Sequence, residues 1–330
     1  MCCVWCGGCL CCVLLWRLLL QKRARTLLGM YSRLGNAELF YCWLYSFLLC
    51  FLLSCWWLKF AFVASVFTVV NVFLIFNYFA LPPTPSGQLQ AFLHDVQVGA
   101  HRGAAADAPE NTLDAFKLAN LRGADLIEMD IEFSSDGVAL LLHDDTLERT
   151  TDGVGHVWNA SWADIQRLNA AAKFKHRDGT VSVARVPSLE QGIQLCLEMN
   201  LKIILDVKRF HPKLLDTLLH LYRRYEVLYE KAAVCSFFPD VVYEVRKADA
   251  NILVGHTWRP GIFAYSDIEM QRRRFEDFPR MLLAHLADLA YAWALHSRLL
   301  FKLTGARLFL AQEKQISRNY VDEWRRDGLS

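Results

Sequence analysis

At 330 residues the chain can hold one large domain with appendages, and its formal net charge of +2 conceals an uneven distribution. Residues 1–80 carry Arg17, Lys22, Arg23, Arg25, Arg33 and Lys59 against Glu38; of 36 basic and 34 acidic residues overall, 30 and 33 lie beyond. A basic, apolar leader therefore precedes a nearly neutral domain, which argues against nucleic acid as a partner. Nine of the 11 cysteines, at 2, 3, 6, 9, 11, 12, 42, 50 and 55, fall in the leader, leaving Cys196 and Cys235 beyond it. That usage excludes a disulfide framework or a zinc-type spacing in the domain, and makes the leader cysteines either apolar filler or sites of S-palmitoylation.

Cys2 to Leu20 is apolar apart from Arg17, and Lys22, Arg23 and Arg25 follow; with no basic residue ahead of the apolar part it makes a poor signal peptide. Leu39 to Leu81 contains one charge, Lys59, where a single span needs roughly 20 residues, so one long span or a two-span hairpin both fit. The basic cluster at 22–33 puts the intervening loop in the cytosol. One further span then carries the rest of the chain to the lumen or the outside, and two return it. The sequon Asn159-Ala160-Ser161 makes Asn159 a candidate N-glycosylation site and favours the lumenal or extracellular side. Residues 1–81 are thus expected to form a membrane anchor of one to three spans, and 82–94, opened by Pro82-Pro83-Thr84-Pro85, a linker.

From residue 95 the chain alternates strands with helices. Val96 to Ala100 reads as a short strand with His101-Arg102-Gly103 at its carboxyl end. Pro109-Glu110-Asn111-Thr112 follows, with Asn111 or Thr112 capping a helix to about Arg122. Leu126 to Phe133 has period 2, so Glu128 and Asp130 share a face, a pair suited to a hard cation. Ser135-Asp136-Gly137 turns the chain into Val138–Leu142, and the hairpin is expected to set His143 opposite Asp130. Any one of these groups is more often structural than catalytic; four on one face point to a site.

Further along, Ser161–Leu168 is expected to be helical, as is a segment from Pro187 to about Asn200. Leu201–Val207 reads as a buried strand, His211–Tyr229 as a helix, Ala232–Phe238 as a strand, Asp240–Ala248 as a helix and Ile252–His256 as a strand. Repetition of this unit implies a TIM-type α/β barrel, with chemistry at the carboxyl ends of its strands. Asp206 and Lys208 sit two apart at such an end, giving a third carboxylate for Mg²⁺ or Ca²⁺ and a cation for phosphate. Residues 258–305 break the pattern. After Arg272-Arg273-Arg274, the stretch Met281–Phe301 carries His285, Asp288 and His296 on one stripe and is otherwise mostly apolar. It reads either as an interfacial amphipathic helix or as an ordinary helix packed on the barrel.

His-Arg-Gly, Pro-Glu-Asn-Thr, Glu-x-Asp, His-Asp and a strand-end acid-x-Lys, in this order and spacing, resemble the glycerophosphodiester phosphodiesterase family over about residues 95–327. The resemblance implies a TIM barrel that uses a divalent cation to hydrolyse glycerophosphodiesters, lysophospholipids among the candidate substrates. It implies His101 and His143 as the acid/base pair, Glu128, Asp130 and Asp206 as metal ligands, and Arg102 and Lys208 as phosphate ligands, with Glu110 near the site. Aspartate at 206 departs from the glutamate usual across the broader family. The family also continues past the helix expected at Asn319–Asp327, so the barrel is expected to lack its last strand or strands. The competing expectation is a catalytically impaired membrane interaction protein; another is a barrel that releases a cyclic phosphate.

Overall fold

The computed structural model describes residues 36–175 and 183–329. The long apolar stretch is one continuous helix, α1 (Asn36–Phe79), within which Trp43–Phe79 is long and apolar enough to cross a membrane, at a mean hydropathy of 2.2. Between the alternatives that hydropathy allows, a single helix is seen. Its polar side chains turn back on its own carbonyls, Ser65 to Ala61 O (2.7 Å), Thr68 to Ala64 O (2.8 Å) and Asn71 to Phe67 O (2.8 Å). Hydroxyls and amides satisfied in this way do not need water. The expectations for Cys2–Leu20, the basic cluster at 22–33 and the cysteines before Cys42 lie outside the described residues.

The chain divides into two units, the second running from Phe76 to Ser330. Its first residues are sewn to the rest of that unit: Leu81 N donates to Leu303 O (2.9 Å), Thr84 N to Gly305 O (3.0 Å), and Arg246 Nη2 to Pro82 O (2.9 Å). Within 82–94, where proline content predicts a linker, Ser86–Leu93 forms helix α2, with Leu89 and Phe92 buried. Both pack on Leu126, Ile204, Ala233, Leu253 and Leu308, residues near the amino-terminal ends of the strands.

Strand β1 (Gly99–His101), helix α3 (Leu113–Leu121), strand β2 (Leu126–Phe133) and strand β3 (Ala139–Leu141) come next. Then follow α4 (Trp162–Ile165), α5 (Leu189–Glu198), β4 (Lys202–Val207), α6 (Leu214–Arg224), α7 (Leu228–Lys231) and β5 (Ala232–Ser236). The unit closes with α8 (Pro239–Ala248), β6 (Leu253–Trp258), α9 (Phe278–His296), α10 (Leu299–Thr304), β7 (Leu308–Ala311) and α11 (Arg318–Arg326). Among the described residues the strands form one sheet in the order β1-β2-β4-β5-β6-β7, every neighbour parallel, with β3 antiparallel to β2 beside it. This is a TIM-like half-barrel of parallel strands, whose outermost described members are β1 and β7.

Burial explains the strand sequences. All eight residues of β2 and all five of β5 are buried, because a parallel sheet covered on both faces demands side chains that tolerate burial throughout. Two expected helices shrink: Ser161–Leu168 is helical only over α4, and His211–Tyr229 breaks near Tyr225 into α6 and α7. Strand β7 goes unseen in the sequence reading; it lies against Gly255 so closely that a Cβ there would meet Leu308 Cβ at 2.7 Å.

Candidate active site

Register brings the site together. His101 ends β1 opposite Glu128, and Asp130 of β2 lies opposite Asp206 of β4. All are at or near the carboxyl ends of parallel strands, where loops rather than ladder partners decide what the side chains meet. Hairpin β2–β3 forms around Gly137 as its turn signal predicts, Gly137 N donating to Ser134 O (2.9 Å). Its register differs by one from expectation. Ile131 pairs with Leu141, so it is Leu142 whose N–H reaches Asp130 O (3.2 Å). His143 lies past the ladder, in a bend, and its charge still bears on Asp130 and Asp206.

Ligand oxygens of Glu128, Asp130 and Asp206 lie within 4.8 Å of one another. Lys208 Nζ sits between two of them, 2.6 Å from Asp130 Oδ1 and 2.5 Å from Asp206 Oδ2. Burial, with Asp130 and Asp206 adding to it, pushes the Glu128 carboxyl up to about 8, and burial also raises Asp206. Asp130 titrates below the usual carboxylate range: burial opposes this, but Lys208, His143 and Arg102 outweigh it. Asp206 Oδ1 is buried with no hydrogen-bond partner. Three crowded carboxylates and an orphaned hard oxygen fit a divalent cation, which prefers such oxygen ligands.

The His101-Arg102-Gly103 loop owes its shape to backbone conformation. Arg102, Gly103 and Ala104 all have positive φ (54°, 74° and 65°), and a Cβ on Gly103 would meet Phe116 Cδ1 at 2.4 Å. The bend aims Arg102 N at Glu128 Oε2 (2.9 Å) and carries the guanidinium to Glu110 Oε1 (Nη1, 3.0 Å) and Asp130 Oδ2 (Nε, 3.4 Å). His101 itself is 71 % exposed, with Nε2 3.9 Å from Glu128 Oε2. Partial withdrawal from water, then the Arg102 charge, lower its titration from the ordinary imidazole value.

The roles of Asn111, Arg149, Glu132 and Arg209 at the site escaped the sequence reading, while of its two cap candidates the structure takes Thr112. Thr112, accepting from Ala115 N (3.2 Å), caps α3. Asn111 turns inward at φ 57°, donating from Nδ2 to Asp130 Oδ2 (2.8 Å) and accepting from Asp130 N (3.1 Å). His143 Nδ1 is 2.6 Å from Asp144 Oδ1, and Arg149 grips both Asp144 and Glu110. Glu110 thus lies in the site, bridging Arg102 and Arg149, whose guanidinium groups hold its carboxyl below its ordinary value against the cost of burial. Above Asp130 on the same strand face, Glu132 is buried and pushed up to about 7, mainly by burial. Arg209 bridges Glu132 (3.2 Å) and Asp145, its guanidinium 4.6 Å from the ring centroid of Trp158. Asn111 had a signal, being one of two adjacent cap-type residues where a helix needs one, and Glu132 shares the period-2 face of Glu128 and Asp130. Asn159 is exposed, at the end of a 3₁₀ turn (Val157–Asn159).

Cationic groups converging on a carboxylate cluster at the carboxyl ends of parallel strands, with two imidazoles alongside, make a site suited to a divalent cation and an anionic substrate. The comparisons narrow this. Residues 101–330 match the model of the glycerophosphoryl diester phosphodiesterase family, and the chain belongs to that family. It is 36% identical to glycerophosphodiester phosphodiesterase 1 of Bos taurus over 271 residues, which cover 81% of this chain and 80% of the bovine protein. The human protein of the same name is 34% identical over 262 residues, 78% of each chain. In fold, the chain resembles a phosphodiesterase of Oleispira antarctica solved with its product sn-glycerol-3-phosphate (TM-score 0.53, 22% identity, 73% of this chain and 84% of that one). A glycerophosphodiester phosphodiesterase from Agrobacterium tumefaciens gives a TM-score of 0.51 at 24% identity, over 71% and 84%.

Proposed function

We propose that the chain hydrolyses glycerophosphodiesters, such as glycerophosphoinositol, glycerophosphoethanolamine and its N-acyl forms, and lysophospholipids, to glycerol 3-phosphate or lysophosphatidate and an alcohol. The observation that carries this reading is the meeting of Glu128, Asp130 and Asp206 within 4.8 Å, beside Arg102, Lys208 and two histidines. Glu128, Asp130 and Asp206 hold the cation, Mg²⁺ in the first instance and Ca²⁺ as the alternative. When bound, it acts as a Lewis acid that offsets charge building on the phosphoryl oxygens.

Arg102 and Lys208 face the same charge and fix the diester in place. Of His101 and His143, one accepts the proton of the nucleophile, either water or the glycerol hydroxyl next to the phosphate. The other protonates the departing oxygen. Asp144 takes the Nδ1–H of His143, which fixes the tautomer and leaves Nε2 for the proton transfer. Asn111 keeps the Asp130 carboxylate oriented through two hydrogen bonds.

Trp43–Phe79 supports a membrane-anchored form, and the exposed sequon at Asn159 supports a lumenal or extracellular position for the second unit. The deciding experiment is release of glycerol 3-phosphate from glycerophosphoinositol by the detergent-solubilised chain with and without Mg²⁺. Metal-dependent release, lost in His101→Ala, is expected. A folded sample that releases none with any divalent ion refutes the assignment, and recovery of a cyclic phosphate in the phosphorus NMR spectrum replaces water by the glycerol hydroxyl as the nucleophile.

A further inference from the structure

Helix α9 inverts the arrangement usual in a soluble domain. Its single acidic residue faces inward: Asp288 accepts from Phe263 N (2.9 Å) and Ala264 N (3.1 Å). His296 likewise lies against the domain, Nε2 3.1 Å from Tyr320 Oη, and Met281, Ala284, Tyr291 and Leu295 are buried beside it. Of the stripe that looks water-seeking in the sequence, Asp288 and His296 are packed against the domain, while His285 is exposed beside the open face.

The opposite face is apolar and open. Leu282, Leu283, Leu286, Leu289 and Trp293 are 44–68 % exposed, and Ala290 lies on the same face without a charge among them. Phe278 extends the row at the amino end, 76 % exposed. Contiguous apolar surface of this kind marks a contact with something that is not water.

Charge and chain path say what that contact is. Between residues 271 and 302 stand six basic residues, Arg272, Arg273, Arg274, Arg280, Arg298 and Lys302, against three acidic ones, of which Asp288 is turned inward. Arg272, Arg273 and Arg280 are exposed and precede or open the helix at the amino end of the apolar row, and the exposed Lys302 follows it in the chain on α10; their long stems can reach phosphate headgroups while the row sinks into acyl chains. The chain also enters the domain beside this helix pair. The last residue of the candidate span and the chain just after it bond to α8 and to α10, the helix that contacts α9: Tyr243 Oη of α8 donates to Phe79 O (3.0 Å), and Leu81 N donates to Leu303 O of α10.

We propose that α9 lies in a lipid surface with Leu282, Leu283, Leu286, Leu289 and Trp293 immersed, giving the domain a second, non-spanning membrane contact. This draws on the membrane anchoring proposed above and is independent of the reaction. A spanning role is incompatible with the packed stripe, because Asp288 and the buried residues commit one whole face of α9 to the domain.

The test uses the full chain in phosphatidylcholine–phosphatidylserine vesicles doped with a phospholipid that carries a diazirine on its acyl chain. Adducts are mapped by peptide mass spectrometry after photolysis. Adducts on 282–293 are expected beside those on α1, and the L286E/L289E pair should reduce the former at least tenfold while leaving the latter unchanged. Adducts confined to α1 in the unsubstituted chain would overturn the proposal, whatever becomes of the variant. So would a fall in oligomeric state in L286E/L289E, which would assign the face to a second copy. Turnover of water-soluble glycerophosphoinositol, measured on the same samples, is expected to be unaffected by L286E/L289E, so loss of the reaction and loss of lipid contact are read separately.

Discussion

Arg149 is the side chain through which the two histidine loops communicate. It grips Asp144, which holds His143, and Glu110, which holds Arg102 next to His101, so one ionic chain ties together both sides of the proposed reaction centre. Removing the imidazole at the end of that chain should be severe: His143→Ala is expected to cut kcat by about 10²–10⁴-fold with the fold intact, and more than a tenth of the rate would contradict its role. Asp144→Asn should lower kcat on the order of tenfold with little change in KM, because the imidazole stays but its tautomer is no longer fixed. A raised KM with normal kcat would instead tie Asp144 to substrate binding. Lys208→Ala is expected to raise KM. Residues such as His101, Asp130 and Asp206 are legible in the sequence because strand period and turn chemistry suffice to gather them. Arg149 and Arg209 are not, since their meaning lies in partners up to 77 residues away that no local rule selects.

Elements follow the same division. The β/α alternation is readable because buried parallel strands are nearly continuous apolar runs, whereas β7, with three of its four residues half-buried, sends a weaker signal. Periodicity shows that α9 has two faces but not which of them the domain would take, and the inward Asp288 is the answer only a tertiary contact supplies. The turn between β1 and α3 carries a testable cost. Gly103→Ala combines a positive φ with a collision against Phe116, so a loss of roughly 1–3 kcal/mol in stability is expected in denaturant unfolding. A change within about 0.5 kcal/mol would mean that the loop adapts.

Across the whole second unit, the carboxylates of the site make stability depend on pH and on cations. Glu128 is pushed up to about 8 and Glu132 to about 7, both from 4.5, and burial is the main cause in each. Between pH 4.5 and 8 the folded chain keeps protons that the unfolded chain has released. Without a divalent ion, stability should therefore fall as pH rises through that window. A cation among Glu128, Asp130 and Asp206 replaces the proton, so added Mg²⁺ should raise Tm more at pH 8 than at pH 5. An equal rise at both values would argue that the ion binds elsewhere.

Helix α2 bears on how the molecule can be divided. Leu89 and Phe92 cork the amino-terminal end of the sheet, at the end away from the carboxylates, and the backbone from Leu81 to Thr84 is stitched to residues beyond 300. The prolines at 82, 83 and 85 therefore mark no seam. A fragment begun at residue 95 would leave the strands uncorked, while one begun at Phe76 keeps cork and stitching together, and the natural cut lies upstream of the segment whose composition advertises it.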